Sequence, residues 1–242
     1  MNREYYKWFS PALNRDMELL VFGHGGTAVL FFPTRTARFY DYEDWHIIES
    51  LKGKVEAGHL TLFCVDSIDR ESFYCSDCPP SDRIKRHIHY ENYILNEVIP
   101  LIHNKTPGTA IISAGCSMGA FHAVNIAFRH PWLFQKVVAM SGRFDLTRKM
   151  GSFNDLFDGY RDEDIYFNTP NMYIANLEDQ NILEQLRKLD IIIAIGQDDA
   201  FLENNRHMSR ILWDHNISNS LYIWTEEAHK ARYWREMVRL YL

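Results

Sequence analysis

Ser117 stands between two glycines in Gly115-Cys116-Ser117-Met118-Gly119, at the end of the apolar run 109–115 and directly before a stretch with helical spacing. A turn alone needs only glycine. In a Gly-x-Ser-x-Gly corner between strand and helix, the serine takes a strained conformation that lifts its hydroxyl above the sheet, and the glycines let neighbouring backbone come close. A helix opening at about Met118 turns its unpaired N–H groups and the positive end of its dipole toward that hydroxyl. Packing has no use for a hydroxyl there, whereas a nucleophile has. A serine attacks a carbonyl only when a base takes its proton and a carboxylate holds the base. Both follow, in the order nucleophile, acid, histidine. Asp198 and Asp199 come just after the apolar run 190–196, and His229 comes after the run 219–225. Each lies at the carboxyl end of a strand-like segment, where open α/β sheets bind ligands. Taken singly, either aspartate could cap a helix and His229 could be a surface residue opening the last helix. Together, in that order and context, the three make a nucleophile–acid–base triad.

Eight short apolar segments have strand character: 3–10, 17–23, 27–33, 60–66, 109–115, 136–142, 190–196 and 219–225. Helical patterns occupy 42–55, 83–103, 118–130, 203–215 and 230–242. Two or three hairpin strands followed by strand–helix alternation predict an α/β fold with a mostly parallel sheet, helices on both faces and an N-terminal antiparallel hairpin. His24-Gly25-Gly26 has the composition of a hairpin turn between the second and third strands. No linker divides the chain, so one domain is expected over 1–242. Residues 143–178 are too long for an ordinary connection and rich in aromatic and acidic residues, which suits either a lid or a pair of short surface helices ending near Pro170.

Composition narrows the classes. The chain has 242 residues, 46% of them hydrophobic and 24% charged, with a formal net charge of −6. That balance fits a globular protein and lacks the basic stripe of a nucleic-acid groove. No apolar run is long enough for a membrane span, and the N-terminal residues lack a secretory h-region, so a cytoplasmic location is expected. Four cysteines do not make a disulfide scaffold. Cys75 and Cys78 invite a redox or metal role, but no matching ligand pair accompanies them, and a plain loop is the expectation. His87 and His89 sit two apart in a helical stretch and so point apart.

Nearly the whole chain resembles one branch of the α/β-hydrolases, the esterases that include esterase D-like and tributyrin-esterase-like enzymes. The resemblance rests on residues 8–23 (an opening hairpin), 72–77 (a tyrosine-bearing loop), 90–102 (the helix before the corner) and 115–145 (the corner block). It continues through Ile195-Gly196-Gln197-Asp198-Asp199, a Gly-x-x-Asp segment that selects Asp199 over Asp198, and through 227–242 with His229 at the catalytic position. One block departs: where the family has His-Gly after the third strand, this chain has Pro33-Thr34. By position the oxyanion donors would be the backbone N–H groups of Arg35 and Met118. The side chains of Arg35 and Arg38 either face an anionic group of the substrate or are simply solvated. Phe73 and Tyr74, with the 143–178 segment, are expected near the pocket.

The resemblance implies a serine hydrolase acting on small-molecule carboxylic esters through an acyl-serine, with no metal or organic cofactor. An acyltransferase using the same acyl-serine and a non-catalytic binding module on the same fold stand as alternatives. Acyl length, alcohol and oligomeric state are not legible in the sequence.

Overall fold

A computed structural model describes all residues from Met1 to Leu242. The strands are β1 (Arg3–Ser10), β2 (Arg15–Phe22), β3 (Thr27–Phe32), β4 (Leu60–Val65), β5 (Ile111–Cys116), β6 (Lys136–Met140), β7 (Asp190–Gly196) and β8 (Ser220–Trp224). The helices are α1 (Asp41–Asp44), α2 (Ile47–Ser50), α3 (Lys52–Glu56), α4 (Pro80–Tyr93), α5 (Ile99–Lys105), α6 (Met118–Arg129), α7 (Glu163–Phe167), α8 (Pro170–Tyr173), α9 (Gln180–Leu186), α10 (Leu202–Asp214) and α11 (Ala231–Tyr241). The strands form one sheet in the order β1-β2-β4-β3-β5-β6-β7-β8. β1 and β2 are an antiparallel hairpin, β2 runs antiparallel to β4, and every pairing from β4 to β8 is parallel.

The period of two along a strand sorts side chains into two cores. In β3, Ala28, Leu30 and Phe32 join one apolar cluster, while Val29 and Phe31 join the other. In β7, Ile191 and Ile193 go to the first, and Ile192 and Ala194 to the second. Helices α4–α6 and α8–α10 cover the first face, and α1–α3 with α11 cover the second. Because both faces are covered, β4 and β5 are buried along their whole length and β3 from Ala28 onward, and their residues are apolar apart from Thr27, Thr61 and Ser113.

Several elements differ from the sequence-based expectation. β2 and β3 are not paired, so His24–Gly26 is no hairpin turn; it carries the chain past the end of β4, which lies between them. Gly25 and Thr61 exchange two hydrogen bonds there. The helical stretch 42–55 is three short helices, interrupted at His46, whose left-handed backbone (φ 57°) stops the helical ladder. Residues 94–98 widen into a π turn before α5, because Pro100 has no N–H to continue the α ladder. Pro170 opens α8 rather than closing a helix, as its fixed φ and missing N–H suit a first turn. Cys75 and Cys78, expected as a plain loop pair, are joined by a disulfide.

Two elements of the first core carry a buried histidine with a consequence for stability. His87, on α4, packs its ring 4.6 Å from that of Phe73 and 5.5 Å from that of His122 on α6, and Asn125 lies 3.3 Å from its Nε2. Burial, followed by the charge of His122 and opposed by Glu91, pushes the His87 pKa down to about 3. Unfolded, the same side chain binds a proton at about pH 6.5. Between those values the unfolded state holds more protons, so stability is complete above about pH 6.5 and is lost as pH falls toward 3, by at most about 1.4 kcal/mol per pH unit. His87→Gln should therefore show a flatter decline of the urea midpoint between pH 7 and pH 4 than the native chain. Equal slopes would remove His87 as the cause.

Candidate active site

Ser117 occupies the corner where β5 ends and α6 begins. Its backbone (φ 56°, ψ −119°) lies in a region that costs a side-chain-bearing residue strain, and the surroundings hold it there. Its N–H donates to the Met140 carbonyl at 2.8 Å, and its own carbonyl accepts from Ala120 N at 3.0 Å. A Cβ on Gly119 would lie 2.2 Å from the Phe32 carbonyl oxygen, so only glycine lets α6 approach the end of β3 this closely. The buried Tyr42 hydroxyl stitches the same junction from below: it donates to Phe32 O at 2.7 Å and accepts from Cys116 N at 3.0 Å.

His229 lies in the loop after β8. Its Nε2 is 2.9 Å from Ser117 Oγ and its Nδ1 is 2.7 Å from Asp199 Oδ2. Asp199, at the end of β7, is buried, and its Oδ1 accepts the Phe201 N–H at 2.9 Å. Asp198 is exposed and its carboxylate has no hydrogen-bond partner, so the geometry distinguishes the two neighbours. The histidine loop crosses directly over Gly196, where a Cβ would be 1.9 Å from the Glu227 carbonyl oxygen. Trp234 Nε1 donates to Ser141 Oγ, which in turn donates to the Ala228 carbonyl, each at 3.1 Å. The loop is thereby fixed from β6 and from α11.

The turn after β3 holds the second backbone donor expected near Ser117. Ala37 N–H closes it on Thr34 O at 3.0 Å, and Arg35 N–H donates to no protein group. Thr36, with φ 55°, donates its N–H to Asp69 Oδ2 at 2.9 Å. The other carboxylate oxygen, Oδ1, is 3.1 Å from His122 Nε2 on α6, and both side chains are buried. Asp69 and His122 thus tie the Arg35 turn to the helix that carries Met118. Neither residue is signalled by a motif, because the link spans 53 positions and exists only once α6 packs beside β3.

Ser117 and His229 open into a cavity of about 250 Å³. Met118, Phe153, Phe201 and Trp234 give it apolar walls, and Tyr74 closes one side with Arg35 stacked 5.5 Å over its ring. Burial pushes the Tyr74 phenol up to about 12, so it is neutral. Phe73, expected at the pocket beside Tyr74, points away into a buried cluster with Phe121 and Phe157 and does not line the cavity. Arg38 is also elsewhere: it binds Asp66 at 2.8 Å and Glu18 at 2.7 Å. Arg143, Phe153, Phe201 and Trp234 are cavity residues that the sequence did not single out. The apolar periodicity of the last helix was the one available sign of Trp234. Within 143–178, Leu146, Phe157 and Ile165 are buried against Phe121 and Ile84, so this stretch is packed onto α4 and α6.

Strand order, two-sided cover and a strained serine at the end of β5 define an α/β-hydrolase. The chain belongs to the Esterase family, described as "Putative esterase", which it matches over residues 10–239. It is accordingly a carboxylesterase-type hydrolase, and the family implies a small-molecule ester as substrate. Among solved structures it is similar to a ferulic acid esterase, with 18% identity, a TM-score of 0.77 and coverage of 99% of this chain and 95% of that one. It is also similar to S-formylglutathione hydrolases from Staphylococcus aureus (17% identity, TM-score 0.71, 99% and 96% covered) and Agrobacterium tumefaciens (15%, 0.76, 98% and 91%). At such identities the likeness is one of fold. No curated protein matches in sequence. No helix is long and apolar enough to cross a membrane.

Proposed function

We propose that this esterase cleaves its substrate through an acyl-serine, with Ser117 as nucleophile, His229 as general base and acid, and Asp199 orienting His229. The observation that carries this is the continuous hydrogen-bond chain Ser117 Oγ–His229 Nε2 and His229 Nδ1–Asp199 Oδ2, ending in a cavity. With Nδ1–H given to Asp199, Nε2 keeps a lone pair for the serine proton. Ser117 Oγ bonds to the carbonyl carbon as His229 takes its proton, and the carbonyl oxygen becomes an oxyanion facing the Met118 and Arg35 amides. Collapse expels the alcohol, which receives the proton from His229. Water then attacks the acyl group, giving its proton to His229, and the second collapse returns that proton to Ser117 Oγ and frees the acid. In this mechanism the 143–178 segment supplies a fixed wall of the substrate site through Arg143 and Phe153.

The test is active-site labelling. An alkyl fluorophosphonate, which needs an activated serine, should modify the native protein once, on the peptide containing Ser117, and leave Ser117→Ala unmodified. Labelling that persists in Ser117→Ala, or a modified residue elsewhere, would move the nucleophile to another site.

A further inference from the structure

Arg143 is a buried cation that forms no ion pair. It lies just beyond the end of β6, beside the strand that carries Ser117, and only 4% of it is exposed. Its Nε donates to the Asp145 carbonyl at 3.3 Å, and Nη2 donates to the carbonyls of Arg148 and Asn154 at 2.8 and 2.7 Å. Nη1 has no partner within the protein, and Arg143 lines the catalytic cavity. The nearest carboxylates in sequence are engaged elsewhere. Asp145 accepts from Thr147, and Asp155 accepts from Phe157 N, Gly159 N and Arg161. Arg35 likewise forms no ion pair and lies over the face of the neutral Tyr74 ring, on which the charge of Arg143 also acts. No aspartate or glutamate lines the cavity.

A chain with 32 acidic and 26 basic residues therefore lines the cavity of its nucleophile with two guanidinium groups that form no ion pair. The adjoining groove extends the same sign, with Arg148, Lys149 and Arg210 unpaired and its one glutamate, Glu203, held by Arg206. Burying a charge is costly unless a partner or a hydrogen-bonding shell compensates, and Arg143 has carbonyl dipoles in contact and the carboxylates of Asp145 and Asp155 only at a distance, with no ion pair to either. A planar guanidinium with a free N–H edge suits a carboxylate or phosphate.

Resting on the acyl-serine mechanism above, we propose that the substrate is a carboxylic ester bearing an anionic group, carboxylate or phosphate, which Arg143 and Arg35 bind while Ser117 attacks the ester carbonyl. The anion fixes the orientation of the ester in an otherwise apolar and aromatic cavity. It adds binding on the side of the scissile bond that reaches Arg143.

The experiment uses matched ester pairs and carboxylate as the probe. On the acyl side, 4-nitrophenyl hemiglutarate is compared with 4-nitrophenyl valerate; on the alcohol side, butyryloxyacetate is compared with butyryloxyacetamide. For at least one pair, the anionic member should have a kcat/KM about tenfold or more above its neutral partner, the scale of a charge-assisted hydrogen bond. The pair that shows the preference tells which side of the ester carries the anion. Arg143→Gln and Arg35→Gln should each reduce that ratio about fivefold or more. Since the ratio is taken within one preparation, any loss of folded enzyme in the Arg143 variant cancels. Ratios at or below one for both pairs in the native enzyme, or a preference unchanged by both substitutions, would overturn the proposal and leave Arg143 as a staple of its loop. In that event neutral esters are still hydrolysed and Ser117 is still labelled. Loss of all ester turnover and of labelling in the native protein would instead remove the acyl-serine mechanism, and this proposal with it.

Discussion

Ser117→Ala should lower kcat for a neutral activated ester by roughly 10⁵- to 10⁶-fold while changing KM little, the scale seen when a serine nucleophile is removed. Ser117 is the one cavity hydroxyl hydrogen-bonded to His229. The two cysteines outside the disulfide, Cys64 and Cys116, are buried, and burial pushes both thiols far above their ordinary range. Turnover left in the variant would come from water held near His229 with the Met118 and Arg35 amides still in place. The fold should be unaffected. The corner strain belongs to the backbone, and the bonds that hold it, Ser117 N–H to Met140 O and Ala120 N–H to Ser117 O, survive the substitution. Unfolding free energy should move by about 1 kcal/mol or less, as for changes that touch no core contact. Ester hydrolysis and thermal melting on the same samples check both statements. A variant that melts normally and keeps more than about one per cent of native kcat would be incompatible with Ser117 as the nucleophile.

What could be read from the sequence and what could not divide along a physical line. Strands β3 to β7 were legible because a strand buried on both faces must be continuously apolar, and each is punctuated by glycine, proline or a polar turn. Ser117 and Asp199 were legible because they come one and three residues after such strands, and His229 because it lies in the loop after the edge strand β8, so that local order already places them on one rim of the sheet. The remainder depends on neighbours that sequence order does not give. β4 inserts between β2 and β3, which turned an expected hairpin at His24–Gly26 into a crossover. Tyr42 reaches Cys116 across 74 positions, and Asp69 reaches His122 across 53. Phe73 and Tyr74 are adjacent and look equivalent as a sequence. In the fold their side chains diverge, one into the core and one into the cavity. Arg143 presents the same difficulty in another form, since a lone arginine after a strand is indistinguishable from a solvated one until its burial and its want of an ion pair are seen.

The adjacent aspartates give the second large effect, and here the geometry specifies the outcome atom by atom. Asp199→Asn should reduce kcat/KM by roughly 10⁴-fold, whereas Asp198→Asn should change it less than about threefold. Asp199 Oδ1 accepts the Phe201 N–H at 2.9 Å, and Oδ2 faces His229 Nδ1 at 2.7 Å. An asparagine must keep its carbonyl oxygen toward the Phe201 N–H, because an amide N–H there would meet another donor. Its NH₂ then faces His229 and requires Nδ1 to be the acceptor. The imidazole is driven to the tautomer with its proton on Nε2, the nitrogen 2.9 Å from Ser117 Oγ, and can no longer take the serine proton. The loss is thus one of proton direction, with the cavity and the fold unchanged, so KM and the melting temperature should stay near native values. Asp198 is exposed, makes no side-chain hydrogen bond, and contributes only its backbone N–H to the Glu226 carbonyl, which the substitution leaves intact. Measuring kcat/KM for both variants with one neutral ester decides the matter. Equal losses in the two, or a larger loss in Asp198→Asn, would show that the acid holding His229 is not the one at the third position after Gly196.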